Sequence, residues 1–188
     1  MNESELQQIF PQTLASLRRE KLDLILNEFQ RFCVNDLDDN KSVSGWFPVF
    51  LKAHGLSSEL TEICYWEWLR FSCCSIDWGE PRMDPGQVRL APGVQVMKIQ
   101  DAAKKLAVDP GPHVIYQRGA KVQSRVVNAP EALLLDVLQE ERKFSETQLV
   151  DYLKMEAEPF VNLRQADWRA VVGRLKDEGI LIVKSALI

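Results

Sequence analysis

The stretch HVIYQRGAKVQSRVV, residues 113–127, decides the fold because it predicts a β-hairpin. Both arms are rich in β-branched and aromatic residues, and Gly119 stands where a tight turn requires a positive φ. A two-residue Gly-Ala loop would give a type II′ turn, whereas a three-residue loop would change which residues share a face. In the second register one face would carry Val114, Tyr116, Val122, Ser124 and Val126. Spacing alone leaves the register open.

Three short helices are predicted after the hairpin, and each has a capping signal at its start. Asn128, Ser145 and Asn162 are each followed three residues later by Glu or Gln, which is the spacing of a capping box. Each cap contributes about 1 kcal/mol by satisfying backbone N–H groups that the helix leaves unpaired. Apolar residues at helical spacing mark the predicted core faces: Leu134, Val137 and Leu138; Leu149, Tyr152 and Leu153; Trp168, Val171, Val172 and Leu175.

The order of these elements predicts a winged-helix-like module over residues 85–188. Gly179 ends the third helix, and the short apolar run at 180–183 predicts a buried closing strand. Residues 94–99 alternate between apolar and polar positions and predict a strand that extends the sheet of the hairpin. A β-hairpin, three helices and a closing strand follow one another in this order in a winged helix.

The first 80 residues predict an all-helical domain. A short helix at 4–10 ends before Pro11, and a long helix opens at Pro11 and continues to about residue 32. Helices at 43–54 and 59–75 follow. The last helix is apolar around most of its circumference, so it is either central or covered by a partner on its second face.

The predicted fold class is therefore α+β, with an N-terminal helical bundle at 1–80 and the winged-helix-like module at 85–188. The helical spacing of apolar residues breaks over 77–92, where several prolines and glycines occur. The domain boundary is placed there.

Composition and charge narrow the classes of function. The 188 residues are 46% hydrophobic and 27% charged, and a net charge of −4 argues against a general affinity for nucleic-acid backbones. No apolar run has the length to span a membrane, and acidic residues near Met1 without an apolar segment argue against a signal peptide. Four cysteines without secretory context predict free thiols and a cytoplasmic location.

Residue types that carry catalysis or bind metals are scarce. The two histidines, His54 and His113, share no metal-binding spacing with each other or with any cysteine. Cys73 and Cys74 are adjacent, so on a helix they point about 100° apart and do not form a zinc pair. No nucleophile elbow, phosphate-binding glycine loop or H-E-x-x-H motif is present. We expect no catalytic residue, cofactor or metal in this chain.

Basic residues near the third helix raise the alternative of a winged-helix transcription regulator. Arg164, Arg169, Arg174 and Lys176 lie at the position of a recognition helix. However, residues 112–188 contain 11 Lys and Arg and 11 Asp and Glu, whereas DNA-binding modules usually carry a clear positive field. The same arginines also fit a solvated helix face. We expect no nucleic-acid partner and keep DNA binding as the alternative.

A sheet edge beside a helix can instead capture a peptide by strand addition. Two segments carry a resemblance to that kind of module: VVNAPEALLLDVLQEERKFSETQLVDYL at 126–153 and WRAVVGRLKDEGILIV at 168–183. Their layout is similar to the recognition elements of ribosomal-peptide biosynthesis, small winged-helix modules that hold the leader of a precursor peptide.

A second resemblance covers most of the chain. ELTEICYWEWLRFSC at 59–73, APGVQVMKI at 91–99 and HVIYQRGAKVQSRVVNAPEALLLDVL at 113–138 resemble the partner proteins encoded beside multinuclear non-haem iron oxidases. Within that group, the size and the helical-then-winged build look most like the MbnC-like partner proteins of methanobactin biosynthesis.

That resemblance implies a non-catalytic subunit in a heterodimer with an MbnB-like multinuclear iron oxidase. The chain would hold the leader of an MbnA-like precursor, so that a core cysteine reaches the iron expected in the partner. The oxidase would convert that cysteine to an oxazolone with an adjacent thioamide, as in copper-chelating methanobactins. Tethering one part of a peptide raises the effective concentration of the rest at the active site. A structural adaptor without a peptide substrate is a third interpretation.

One group of residues is predicted to contact the partner oxidase, and another is predicted to bind the peptide. Trp66, Trp68 and Trp78 are predicted at the interface with the partner, because Trp is enriched at interface hot spots. Trp66, Trp68 and Trp168 also fit an intramolecular core. The predicted peptide-binding group lies on the hairpin and the third helix: Val114, Tyr116, Val122, Ser124, Arg125, Trp168, Arg169 and Val172.

Overall fold

The computed structural model describes residues 3–17, 19–35, 43–79, 82–140 and 142–184. Within these ranges it has nine helices and two three-stranded antiparallel sheets, so the expected α+β class is confirmed. The helices are α1 Glu3–Ile9, α2 Pro11–Ser16, α3 Arg19–Asn35, α4 Val43–Ala53, α5 Ser58–Ser75, α6 Ala103–Leu106, α7 Ala129–Gln139, α8 Glu146–Ala157 and α9 Trp168–Asp177. The strands are β1 Gln87–Leu90, β2 Gln95–Ile99, β3 Gly111–Arg118, β4 Lys121–Val126, β5 Phe144–Ser145 and β6 Leu181–Val183. Among the helices of these ranges, none is long and apolar enough to cross a bilayer.

Contacts along the backbone divide the chain into two compact units. The first unit comprises Met1–Ser72 and Ile99–Pro110, and the second comprises Cys73–Lys98 and Gly111–Ile188. The segment 99–110, which lies within the predicted C-terminal module, groups with the helical unit by its contacts.

Phenylalanine rings build the core of the first unit. Phe29 of α3 contacts Phe47 and Phe50 of α4, with ring centroids 4.9 Å and 5.1 Å apart. Phe10, which precedes α2, places its ring 5.0 Å from that of Phe47. All four side chains are almost completely buried, so these tilted and edge-on ring contacts add to a large burial of apolar area.

The long helix expected to open at Pro11 is wrong, because the chain forms two helices there. α2 ends at Ser16, and Leu17 has φ −83° and ψ 135°, an extended conformation that stops the helix. The next helix, α3, begins at Arg19. Apolar residues keep their helical spacing across the break, so periodicity alone does not reveal it.

A single carboxylate explains why the segment after β2 belongs to the first unit. Glu62 of α5 accepts hydrogen bonds at one oxygen, Oε2, from the backbone N–H groups of Gln100, Asp101 and Ala102, at 3.0, 2.9 and 2.9 Å. Three successive N–H groups around one anion form the kind of concave site that backbone nests offer. An ion pair between Lys105 and Glu59, 2.9 Å long, holds the next turn on the same helix.

In the second unit, the region predicted as a domain boundary contains a strand. β1 is the central strand of the sheet β5-β1-β6, and it pairs antiparallel with both neighbours. Val88 faces Phe144 on one side and Val183 on the other, and its side chain is fully buried. The stretch over 77–92 in which the sequence pattern breaks thus includes a strand at 87–90. A four-residue strand between two proline-glycine turns is too short to show periodicity.

The second sheet, β2-β3-β4, contains the predicted hairpin and the predicted strand at 94–99. Arg118 pairs with Lys121, so the loop has two residues, Gly119 and Ala120. Gly119 has φ +61°, as a type II′ turn requires at its first central residue. The two-residue register is therefore the one adopted.

Two of the three predicted helix starts are confirmed and one is wrong. Complete capping boxes form at Asn128 and at Ser145, with both reciprocal hydrogen bonds. Asn162 lies in a stretch of turns instead, and α9 begins at Trp168, where Asp167 accepts a hydrogen bond from the N–H of Ala170 at 3.1 Å. Asp167 directly precedes the residues of α9 that pack in the core. The helix is therefore capped at Asp167 and not at Asn162, which has only the spacing of a capping box.

Candidate functional site

The outer strand of the hairpin sheet, β4, carries three of the residues predicted to bind a peptide, Val122, Ser124 and Arg125. β4 ends the order β2-β3-β4, so among the described strands none pairs with its outer side. In an antiparallel pair, residues alternate between facing their partner's backbone and facing away from it. The N–H of Val127 bonds to the C=O of Pro112 at 2.9 Å, which fixes the phase of that alternation. Backbone groups at 122, 124 and 126 therefore point away from β3.

The register also decides which hairpin side chains share a face. Val114 pairs with Arg125, and Tyr116 pairs with Gln123, so these four residues lie on one face of the sheet. The Tyr116 hydroxyl donates to the Gln123 side chain at 3.1 Å on that face. Val122 and Ser124 project from the opposite face, opposite Gln117 and Ile115. The predicted peptide-binding residues of the hairpin thus do not form a single surface.

Arg125 joins the edge strand to two helices. Its guanidinium makes a bidentate pair with Glu131 of α7, with both N–O distances 2.9 Å. It also donates to Glu178, the C-cap of α9, from Nε at 3.0 Å and from Nη2 at 2.6 Å. The fifth N–H donates to the C=O of Val126 at 3.1 Å, so every donor of this guanidinium is used. Arg174 of α9 adds a second cation, 3.0 Å from Glu131.

The carboxylate at the centre of this network is held in its ionised form. Burial by itself would raise the pKa of Glu131, but hydrogen bonds from Arg125 and from the N–H of Asn128, with the charge of Arg174, lower the pKa below its usual value. The hydrogen bond with Glu131 in turn raises the pKa of Arg125. Both shifts favour the charged forms of Glu131 and Arg125. The network fixes the position of β4 relative to α7 and α9.

The structure places the predicted peptide-binding side chains in three environments. Val114, Tyr116, Trp168 and Val172 belong to the hydrophobic core of the second unit, so they do not present a surface to a ligand. Val122 and Ser124 are half-buried on the strand, and Arg125 is engaged in the ion network. Arg169 is exposed on α9.

The exposed face of α9 offers a wall of small and basic side chains. Arg169, Ala170 and Arg174 are exposed, and Gly173 lies between them. A Cβ built on Gly173 would meet no atom within 4 Å, so this face of the helix is open. Because Arg125 contacts the C-terminal end of α9, the edge strand and this helix are tied together within the unit.

The three tryptophans predicted at a partner interface also differ in exposure. Trp66 is 6% exposed, whereas Trp78 is 45% exposed. Trp68 is half-buried and packs against the core of the first unit, where a Cβ on Gly45 would lie 3.1 Å from its indole ring. Trp78 is therefore the member of this group with the most area open to a partner.

A buried carboxylate in the first unit acts as a helix cap. Glu67 of α5 accepts hydrogen bonds from the N–H groups of Gln12 and Thr13, at 2.7 and 3.1 Å, and from the Thr13 hydroxyl at 2.7 Å. These N–H groups belong to the first turn of α2, whose own N-cap residue, Phe10, makes no side-chain cap. Burial raises the pKa of Glu67, and the three donors limit that rise. Sequence spacing gave no signal for this contact, because the partners are 54 and 55 residues apart.

Metal-binding and thiol chemistry have little support in the described part of the chain. No group of three or more His, Cys, Asp or Glu side chains converges there as metal ligands do. Cys33, Cys64, Cys73 and Cys74 are free thiols. Burial raises the pKa of Cys64 well above its ordinary value, which makes its thiol less reactive.

Comparison with known proteins adds no family to these observations. No family model matches the chain, and no curated protein matches it in sequence.

Proposed function

We propose that this chain is a non-catalytic subunit that binds an extended peptide at the outer edge of β4, beside α9. The second unit would then be a winged-helix-like recognition module, in which the sheet β2-β3-β4 is followed by α7, α8, α9 and β6. The peptide is the leader of a ribosomally made precursor, and the complex works in the cytoplasm.

The observation that carries the proposal is the orientation of the backbone at the edge of β4. The N–H and C=O groups of Val122 point away from β3, in the direction from which a further strand would approach. An edge strand with outward-facing donors and acceptors is a template for pairing. Peptide-binding domains of several folds use such an edge to gain affinity from backbone hydrogen bonds.

The helix beside the edge supports selectivity for side chains of the peptide. In strand addition, alternate side chains of the bound peptide meet the surface next to the sheet. Further along the helix that Arg125 contacts, the open face at Gly173 would leave room for a bulky side chain, and the exposed Arg169 would offer a cation. The Arg125 network holds this helix and the strand at a fixed separation, so the site is formed before the peptide binds.

We assign the chemical step to a multinuclear iron oxidase of the MbnB type, on the strength of the motif resemblance. The chain would hold the leader while the oxidase converts a core cysteine to an oxazolone with an adjacent thioamide. The iron belongs to that partner. The division of labour is physically reasonable, because a tethered precursor keeps its core near the active site at a high effective concentration.

DNA binding receives less support from the contacts of α9. Arg174 pairs with Glu131, and Lys176 pairs with Glu146 at 2.8 Å. Arg164 donates to the backbone C=O of Glu158. Three of the four basic residues considered for DNA contact are thus engaged within the module, and a neutral module lacks the positive field that steers DNA binders.

The first test replaces an outward-facing N–H on the edge strand. Val122→Pro removes that donor without removing a hydrogen bond to β3, so the hairpin should persist. We expect the affinity for an MbnA-like precursor peptide to fall about five- to tenfold, from the loss of one backbone hydrogen bond. Calorimetry on the full-length chain measures this change.

The matched control is Val122→Ala, which shortens the side chain but keeps the N–H, and it should change the affinity less than twofold. Peptides that carry a single N-methyl group at successive positions give an independent readout. Strand pairing requires that alternate positions lose affinity, since only every second N–H faces β4. Uniform loss, or no loss, along the peptide would rule out strand addition at this edge.

The second test concerns the partner. Co-expression with an MbnB-like iron oxidase should give a heterodimer whose iron is found with the oxidase. Trp78→Ala should weaken co-purification while lowering the melting temperature less than Trp68→Ala does, because Trp78 is 45% exposed. The control Trp68→Ala should lower the melting temperature, since that ring packs against the core of the first unit. A chain that never co-purifies with the oxidase but still binds the peptide would refute the partner assignment alone.

A further inference from the structure

A cavity of about 390 Å³ lies at the opposite side of the hairpin sheet from β4, between β2 and α7. Its strand wall is formed by Val96, Met97 and Lys98, and its helix wall includes Leu133 and Asp136. The volume is within the range of pockets that hold small ligands or the side chains of a bound peptide. All of these residues belong to the second unit.

The lining shows that the cavity lies between α7 and one face of the sheet, at the side where β2 is the edge strand. Successive side chains of a strand point to opposite faces of the sheet. Val96 and Lys98 therefore share a face, and Pro112 of the neighbouring strand β3 lines the same cavity. β2 ends the strand order β2-β3-β4, which leaves this edge without a neighbouring strand in the described part of the chain.

The two walls carry one charge each. Lys98 on the strand and Asp136 on the helix are both exposed, and neither side chain makes an ion pair or hydrogen bond with the described residues. Elsewhere on α7 the acidic side chain of Glu131 is engaged by two arginines, so Asp136 is the carboxylate of that helix that remains available. The floor between the charges is apolar, with Leu133 and Val96 half-buried.

We propose that this edge and helix form a second strand-addition site, which binds an extended segment of another polypeptide. The segment pairs with the backbone of β2, inserts one aliphatic side chain between Val96 and Leu133, and places a carboxylate next to Lys98. An extended peptide is favoured over a second copy of this chain. Two copies joined edge to edge would bring both Lys98 side chains to one junction, and an edge lysine opposes such pairing.

This site is separate from the one at β4 and does not depend on the proposed function. The two edges belong to one sheet, but the cavity at β2 faces α7, whereas the β4 edge is tied to α9. A protein with both sites would bind two extended segments, or two parts of one long segment, without a change in the sheet between them.

The experiment uses the full-length chain and a display library of random linear ten-residue peptides. We expect the selected peptides to share an aliphatic residue close to Asp or Glu, and to shift the amide NMR signals of residues 95–98. Lys98→Glu should weaken their binding at least tenfold, and exchanging the peptide's acidic residue for Lys should restore it. Lys121→Glu, a matched change at an exposed lysine of the same sheet, should alter binding less than twofold.

Three outcomes would overturn the proposal. One is the absence of any peptide enriched above the unloaded support. Another is a set of peptides that is insensitive to Lys98→Glu but lost on Val122→Pro, which would place them at β4. The third is a concentration-dependent dimer, seen by light scattering and competing with every selected peptide, which would make a second copy of the chain the occupant.

Discussion

Arg125 is predicted to stabilise the second unit strongly, because its loss leaves a buried carboxylate only partly compensated. Arg125→Met removes four hydrogen bonds to two carboxylates, while the methionine keeps much of the aliphatic stem. The side chain of Glu131 is 3% exposed, and breaking a buried pair by removing one partner costs about 3–5 kcal/mol. Arg174 remains 3.0 Å from Glu131, and Arg125 itself is 28% exposed. We therefore expect a smaller loss in the free energy of unfolding, about 2–3 kcal/mol.

Thermal denaturation at neutral pH measures this loss, which should lower the melting temperature of the second unit by roughly 10 °C or more. The effect should also depend on pH. The folded-state pKa of Glu131 is lowered, so its contribution to stability is complete above the unfolded-state pKa and is lost as the pH falls through the folded-state value. The difference between wild type and Arg125→Met should therefore shrink in acid.

The comparison variant is Arg142→Met, which breaks only exposed contacts: an ion pair with Glu140 between side chains that are both about half exposed, and a hydrogen bond to the Tyr152 hydroxyl. A surface pair of this kind contributes at most about 1 kcal/mol, so the melting temperature should change little. Equal losses for Arg125→Met and Arg142→Met would contradict the reasoning. So would a difference between wild type and Arg125→Met that stays constant from pH 7 to pH 3.

Two further predictions concern the first unit. Glu62→Ala should speed hydrogen exchange of the amides at 100–102 about fivefold or more, because each of the three N–H groups loses its acceptor; an unchanged exchange rate would contradict this. Glu67→Ala should cost about 2 kcal/mol in denaturant unfolding, because the N–H groups of Gln12 and Thr13 lose their acceptor, and Glu67→Gln should cost less since its amide oxygen still accepts; equal losses would show that the carboxamide cannot cap α2.

The parts of the fold that the sequence predicts correctly are those fixed by interactions between residues close together in the chain. The hairpin, the caps at Asn128 and Ser145, and the helical core of the second unit all depend on residues within a few positions of each other. The spacing that marks a capping box or an apolar helix face is itself the physical cause of the element. The same spacing at Asn162 was misleading, because a competing cap five residues later adjoins the packed face of α9.

The sequence by itself determined the α+β class, the type of each long element and the scarcity of catalytic residue types. Only the tertiary structure decided the two-residue register of the hairpin, which buries Val114 and Tyr116 and turns the backbone of Val122 outward. It also decided that Arg125 binds Glu131 and Glu178, from two different helices, instead of facing a ligand. Spacing carries no information about such contacts, because an ion pair between separate elements depends on how those elements pack and not on their distance along the chain.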